Sequence, residues 1–120
     1  MTYKLYIDDL RTPNESDWVV VRTVEEARAT LLSRGIPTQI SFDHDLGMHN
    51  DEVVSAVPIA WFIIDGILDG HFNAHVLKKV NVHSDNPPGV RNIVGLFESF
   101  SKVHNIQWEI TAVKNGSYVG

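Results

Sequence analysis

Cysteine is absent from the 120 residues, which excludes disulfides, thiolate nucleophiles and Cys-ligated zinc. A basic surplus is missing as well: ten Lys and Arg against fifteen Asp and Glu give a net charge of −5 with the six histidines neutral. Duplex nucleic acid is normally held by a basic surface that releases counterions, so bulk duplex binding is not expected. A small phosphorylated ligand or a single RNA end needs only local cations or a bound metal. No long hydrophobic run occurs either. The most apolar stretch, Val53 to Leu68, contains Pro58, Asp65 and Gly66 and is too short and too interrupted for a membrane span. The leading MTYKLYIDDLR has neither the basic region nor the apolar stretch of a secretory signal. A cytoplasmic location is therefore expected. With no charge block, low-complexity segment or internal repeat, residues 1–120 read as a single domain. A domain near this size buries roughly two-thirds of its unfolded surface and can hold a core without staples.

What is present is an alternation of strand and helix patterns. YKLYI (Tyr3 to Ile7) is a short β-prone run that stops at Asp8-Asp9, and Arg11 to Asn14 continue the loop. WVVVR (Trp18 to Arg22) is β-branched and predicts a second strand. Thr23 and Glu26 have capping-box spacing, and Val24, Ala27, Leu31 and Leu32 supply a helical stripe that Gly35 and Pro37 terminate. QISF (Gln39 to Phe42) predicts a third strand running into Asp43-His44-Asp45-Leu46-Gly47. A polar loop follows, then a helix from about Ser55 to Leu68 with Pro58 in its first turn. VNVH (Val80 to His83) predicts a fourth strand, Val90 to Val103 a third helix, and Ile106 to Val113 a fifth strand. Strands alternating with helices favour a parallel sheet with helices on both faces. The first two strands are joined by only about ten residues, too few for a helical crossover, so the second strand has a freer choice of pairing.

Ligands of open parallel sheets bind beyond the carboxyl ends of the strands. The unusual residues fall there: Asp8-Asp9 after the first strand, Asp43-His44-Asp45 after the third, and His83-Ser84-Asp85-Asn86 at the fourth. Gathered carboxylates repel one another unless a cation sits between them. Oxygen ligands of this kind suit Mg²⁺ or Mn²⁺, and added imidazole widens the choice to Mn, Fe or Zn. His44 and His83 have the alternative role of acid and base in a phosphoester reaction. Arg11 is placed to bind phosphate through its forked donors. Ser84, Asn86 and the backbone N–H groups near Gly89 have the makings of an anion cradle. Each piece alone has a plainer explanation: an Asp pair as a turn, HSDNPPG as a capped helix start with proline in its first turn. Their shared edge favours a site. His49, His71, His75 and His104 fall in predicted loops or helix ends and are expected in solvent.

The order YIDDLR, WVVVRTVEEA, ISFDHDLG and VHSDNPPGVRNI resembles the cyclic-phosphate processing receiver-like family. Its members occur in bacteria and phages and are relatives of response-regulator receiver domains. The resemblance runs from Tyr3 to about Ile93. It implies a three-layer flavodoxin-like receiver fold with a five-stranded, mainly parallel sheet. Receivers bind Mg²⁺ on an acidic pair after the first strand, to which Asp8 and Asp9 correspond. Asp43 takes the phospho-acceptor position, Ser84 or His83 the fourth-strand position, and Lys114 follows the fifth strand. His44, Asp45, His83 and Asn86 depart from a signalling receiver and match the variant family. That family is thought to process cyclic phosphates such as the 2′,3′-cyclic phosphate at cleaved RNA ends.

The resulting expectation is a metal-assisted phosphoesterase acting on a cyclic or terminal nucleotide phosphate. Asp8, Asp9 and Asp43 hold the divalent metal, Mg²⁺ or Mn²⁺. Arg11, Ser84, Asn86 and Gly89 bind phosphate, while His44, His83 and Asp45 carry the proton chemistry. Two other classes compete. One is a phospho-acceptor switch through Asp43 or Asp45; the other is a non-catalytic module, of a kind a phage could encode, binding a nucleotide or a host protein.

Overall fold

The β-prone segments pair largely as their sequences predict in the computed structural model of the protein, which describes residues 2–113. In chain order the elements are β1 (Lys4–Ile7), β2 (Trp18–Val21), α1 (Val24–Arg34), β3 (Gln39–Phe42), β4 (Asp45–His49), β5 (Glu52–Ser55), α2 (Val57–Leu68), β6 (Lys79–His83), α3 (Pro87–His104) and β7 (Glu109–Val113). Five strands form one parallel sheet in the order β2-β1-β3-β6-β7. This is the expected receiver-like α/β fold. Residues 114–120, including Lys114 and the predicted tail, lie outside the described residues.

Strand alternation sends Leu5, Ile7, Ile40, Phe42, Val80 and Val82 to one face, where all are essentially inaccessible to solvent. Ile59, Ile63, Ile93 and Phe97 from α2 and α3 complete that core. The three connections that carry helices all step across the sheet in the same direction, β2 to β3, β3 to β6 and β6 to β7. Right-handed crossovers then put their helices on one side, and α1 packs on α2 and α2 on α3. Helices were expected on both faces; among the described residues they cover one. The physical reason is the β1–β2 link, residues 8–17, which is too short to carry a helix. β2 nevertheless pairs parallel to β1. The opposite face carries Lys4, Tyr6, Gln39, Lys79, Asn81 and Thr111, half-buried and mostly polar.

Local chemistry sets the helix ends. Thr23 Oγ1 accepts from the Glu26 N–H at 3.1 Å, while Glu26 Oε1 accepts from the N–H of Arg22 rather than that of the cap. Ser55 Oγ accepts from the Val57 N–H at 3.0 Å at the start of α2. α3 begins at Pro87, three residues earlier than predicted, because Asn86 caps it and the two prolines fill positions where a missing N–H costs nothing. The predicted polar loop after Gly47 is instead the hairpin β4–β5, turned by Asn50 and Asp51 at φ 52° and 63°. Positive φ at both central residues is the type I′ pattern that matches strand twist.

Candidate functional site

Parallel pairing places the carboxyl ends of β1, β3 and β6 side by side, and the residues beyond them converge. Asp8, Asp9 and Asp43 each present a carboxylate oxygen within 4.8 Å of the others. Asp8 and Asp43 are buried, and Asp9 is partly exposed. Arg11 lies between two of them, its Nε 3.1 Å from Asp8 Oδ2 and its guanidinium 3.7 Å from Asp43 Oδ2.

Asp8 is held on every side. Its Oδ1 accepts from the backbone N–H groups of Leu10 and Arg11, at 2.9 and 2.7 Å. Its Oδ2 accepts from Arg11 Nε and lies 3.0 Å from His83 Nε2. Four partners match the lone-pair sites a carboxylate possesses. Burial opposes its ionisation, but the Arg11 and Leu10 amides and His83 outweigh that and hold its pKa below the ordinary value. Asp43 goes the other way. Burial first, then the Asp8 charge, push its carboxyl up to about 6 despite Arg11.

His83 is buried and stacks on Tyr6 with ring centroids 4.5 Å apart. Its Nδ1 lies 2.6 Å from Ser41 Oγ. Burial lowers its pKa, with partial compensation by Asp8, a direction that favours the neutral ring. With Nε2–H donating to the Asp8 carboxylate, Nδ1 accepts from the Ser41 hydroxyl. Ser41 Oγ in turn accepts from Asn81 Nδ2 at 3.1 Å, and Asn81 Oδ1 from the Thr111 hydroxyl at 2.7 Å. The polar sheet face thus carries one directed hydrogen-bond chain from β7 to the acidic pair.

A second cluster stands beside the first. His44 Nδ1 lies 2.6 Å from Asp45 Oδ1 and its Nε2 3.3 Å from Ser55 Oγ. Asn86 Nδ2 donates to Asp45 Oδ1 at 3.2 Å, and Asn86 Oδ1 accepts from the Gly89 N–H. The His44 ring sits against Gly89 so closely that a Cβ there would come within 2.4 Å of it. Ser84 is buried, with its Oγ accepting from the Asn86 N–H.

An open cleft of about 270 Å³ runs over these groups, its polar lining including Asp9, Arg11, Asp43, Asp45 and Ser84. Asp8, His83, His44, Asn86 and Gly89 are not part of that lining. Of the residues that sequence reasoning assigned to phosphate, Arg11 and Ser84 therefore reach the cleft wall, whereas the Gly89 N–H is engaged by the Asn86 cap. His71 and His75 are exposed in the α2–β6 loop, and His49 and His104 are exposed at element ends.

Sequence reasoning missed four participants. Arg22 donates to the Asp8 carbonyl at 3.0 Å and to Thr12 Oγ1 at 3.0 Å, clamping the loop that carries the acidic pair. It follows the end of β2, so the strand-end rule that flagged the others also points to it. Ser41, Tyr6 and Ser55 had no such signal, because their roles depend on cross-strand and cross-element neighbours.

The carboxylates of Asp8, Asp9 and Asp43 lie within one ion's reach and are oxygen ligands of the kind that fits Mg²⁺ or Mn²⁺. The Asp8 charge adds to burial in raising the Asp43 pKa. Asp9 and Asp43 have the free acceptor capacity, with Asp8 beside them already saturated. No curated protein and no solved structure matches the chain. The family model of the cyclic-phosphate processing receiver domain matches residues 3–99. Convergence of the acidic pair, the β3 aspartate and the DHD and HSxN elements on one sheet edge agrees with that match, and the chain belongs to the cyclic-phosphate processing receiver domain family.

Proposed function

We propose that the protein is a metal-assisted phosphoesterase that opens cyclic nucleotide phosphates, such as a 2′,3′-cyclic phosphate at an RNA end. The observation that carries the reading is one cleft lined by Asp9, Asp43, Arg11 and Asp45. Four carboxylates, counting Asp85, against a single guanidinium make this cleft a poor receptor for a bare phosphate. A divalent cation on Asp9 and Asp43 would offset most of that charge and stabilise charge developing on the phosphoryl oxygens.

In the reaction water adds to phosphorus, one ribose P–O bond breaks, and a proton from the water ends on the released ribose oxygen. Arg11 orients the phosphate through its forked donors. Asp45, on the cleft wall with His44 directly behind it, is the group placed to take and return the proton. His83 is buried between Ser41 and Asp8 and acts as a positioning residue. It fixes Asp8, which in turn fixes Arg11.

Release of a monoester from nucleoside 2′,3′-cyclic phosphates with Mg²⁺, Mn²⁺ or Zn²⁺ tests this reading. Turnover is expected, with a loss of about a hundredfold or more in Asp43→Asn and Asp45→Asn. Absence of turnover with all three metals overturns hydrolysis. Binding without turnover would favour a sequestering module instead. A second reading, phospho-acceptance at Asp43, draws on the position of that carboxylate at the end of the central strand. A stable mass increase after incubation with acetyl phosphate would support it.

A further inference from the structure

Three of the seven large apolar side chains that stand exposed among the described residues rim the same cleft: Leu10, Met48 and Val53, at 82%, 65% and 55% exposure. Scattered exposed hydrophobics are ordinary, but a contiguous group around a polar cleft marks a binding surface. The three come from two separate elements. Leu10 follows the acidic pair, and its backbone N–H is tied to Asp8 Oδ1. Met48 and Val53 are direct cross-strand partners in the β4–β5 hairpin. A register shift between Asp45 and Met48, with Gly47 at φ 86°, turns this hairpin over the site and brings Gly47 onto the cleft wall.

The cleft is therefore amphipathic by construction. Its lining offers carboxylates and a guanidinium, and its apolar rim residues add hydrocarbon and a thioether. A bare cyclic phosphate or a phosphosugar would leave that rim in water. A ligand that joins a phosphate to a flat, apolar-faced group would cover both parts. We infer that Leu10, Met48 and Val53 form the nucleobase subsite, so that the substrates are nucleoside cyclic phosphates and not baseless ones. This rests on the phosphate reading of the cleft and adds to it the part of the ligand that is recognised beyond phosphorus. Met48 suits the role, since an unbranched thioether adapts to an aromatic face.

Binding separates the two claims without requiring turnover. With Mg²⁺ present, adenosine 2′,3′-cyclic phosphate and glycerol 1,2-cyclic phosphate are titrated into the wild type and into the Leu10→Ser, Met48→Ser, Val53→Ser triple variant. The wild type is expected to prefer the nucleotide by about tenfold, the effect of burying some tens of Å² of apolar surface. In the triple variant that ratio is expected to fall towards one. Equal binding of the two esters by the wild type, or an unchanged ratio in the triple variant, overturns the base subsite alone. Failure of the wild type to bind either ester overturns the phosphate reading and the base subsite with it. Should the triple variant bind neither, the single Met48→Ser variant replaces it and the same ratio decides.

Discussion

His83 Nε2 lies 3.0 Å from Asp8 Oδ2, so a buried imidazole on β6 fixes the carboxylate that ends β1. The contact closes the hydrogen-bond chain that begins at Thr111 and passes through Asn81 and Ser41. Removing a link leaves a buried partner unsatisfied. Ser41→Ala is expected to cost roughly 1–3 kcal/mol, and His83→Ala, which also opens a cavity under Tyr6, roughly 2–4 kcal/mol. Urea denaturation measures both. Losses below about 0.5 kcal/mol, the range of neutral surface changes, would show that the chain does not hold the site together.

Asp43 gives the site a pH signature. Its carboxyl, pushed up to about 6 by burial and Asp8, binds a proton more tightly in the folded chain than in the unfolded one. The stability this supplies is full below about pH 4 and is lost as pH rises through about 6. Asp43→Asn removes the ionisation. Metal-free Asp43→Asn is expected to be more stable than wild type by roughly 1–3 kcal/mol at pH 7.5, with no advantage at pH 4. Thermal melts at the two pH values give the comparison, and an equal effect at both would refute the electrostatic origin.

Mg²⁺ or Mn²⁺ should relieve the same repulsion. At a hundredfold excess over its dissociation constant the ion would add about 2.7 kcal/mol. The rise in melting temperature is expected at pH 7.5 and is expected to shrink at pH 5, where Asp43 keeps its proton. An Asp9→Asn, Asp43→Asn double variant should show no rise. A shift of equal size in that variant would place the ion elsewhere.

Gly89 is set by a neighbour and not by its own backbone. A Cβ would stand 2.4 Å from His44 Cγ, and that ring is pinned by Asp45 at 2.6 Å and Ser55 at 3.3 Å. Gly89→Ala is expected to destabilise by about 1–3 kcal/mol. In a His44→Ala background the penalty should largely vanish, and the double-mutant cycle reads the coupling directly. Additive effects would mean that the ring does not bear on α3.

The hairpin turn makes a prediction of the opposite sign. Asn50 and Asp51 both occupy the left-handed region, which Asp tolerates at a cost that glycine avoids. Asp51→Gly creates the preferred Asn-Gly pair and is expected to stabilise by about 0.5–1 kcal/mol, measured as a shift of the urea midpoint. Destabilisation would exclude the type I′ turn.

The hairpin also shows where sequence patterning ends. Asn-Asp is a weaker turn signal than Asn-Gly, and the residues flanking it hide few side chains: Met48, His49, Glu52 and Val53 are all exposed. With Leu46 the one buried side chain of the hairpin strands, period-two alternation has little to report. The helix starts were easier to read, because caps such as Thr23 and first-turn prolines such as Pro58 act within one turn of chain.

The sequence by itself determined the five strands of the sheet, the three helices and the edge at which Asp8, Asp9, Arg11, Asp43, Asp45 and His83 assemble, while the parallel pairing of β2 was decided by the fold. Strand periodicity is local, and a parallel sheet necessarily gathers its carboxyl ends on one edge. Tertiary structure alone decided their division of labour. Register places His83 over Ser41 and under Tyr6, which buries it and turns it into a support for Asp8. The hairpin and the α3 cap leave Asp45 on the cleft wall with His44 behind it. Burial and partner choice depend on residues tens of positions away, and those distances are set only when the sheet, helices and hairpin close on one another.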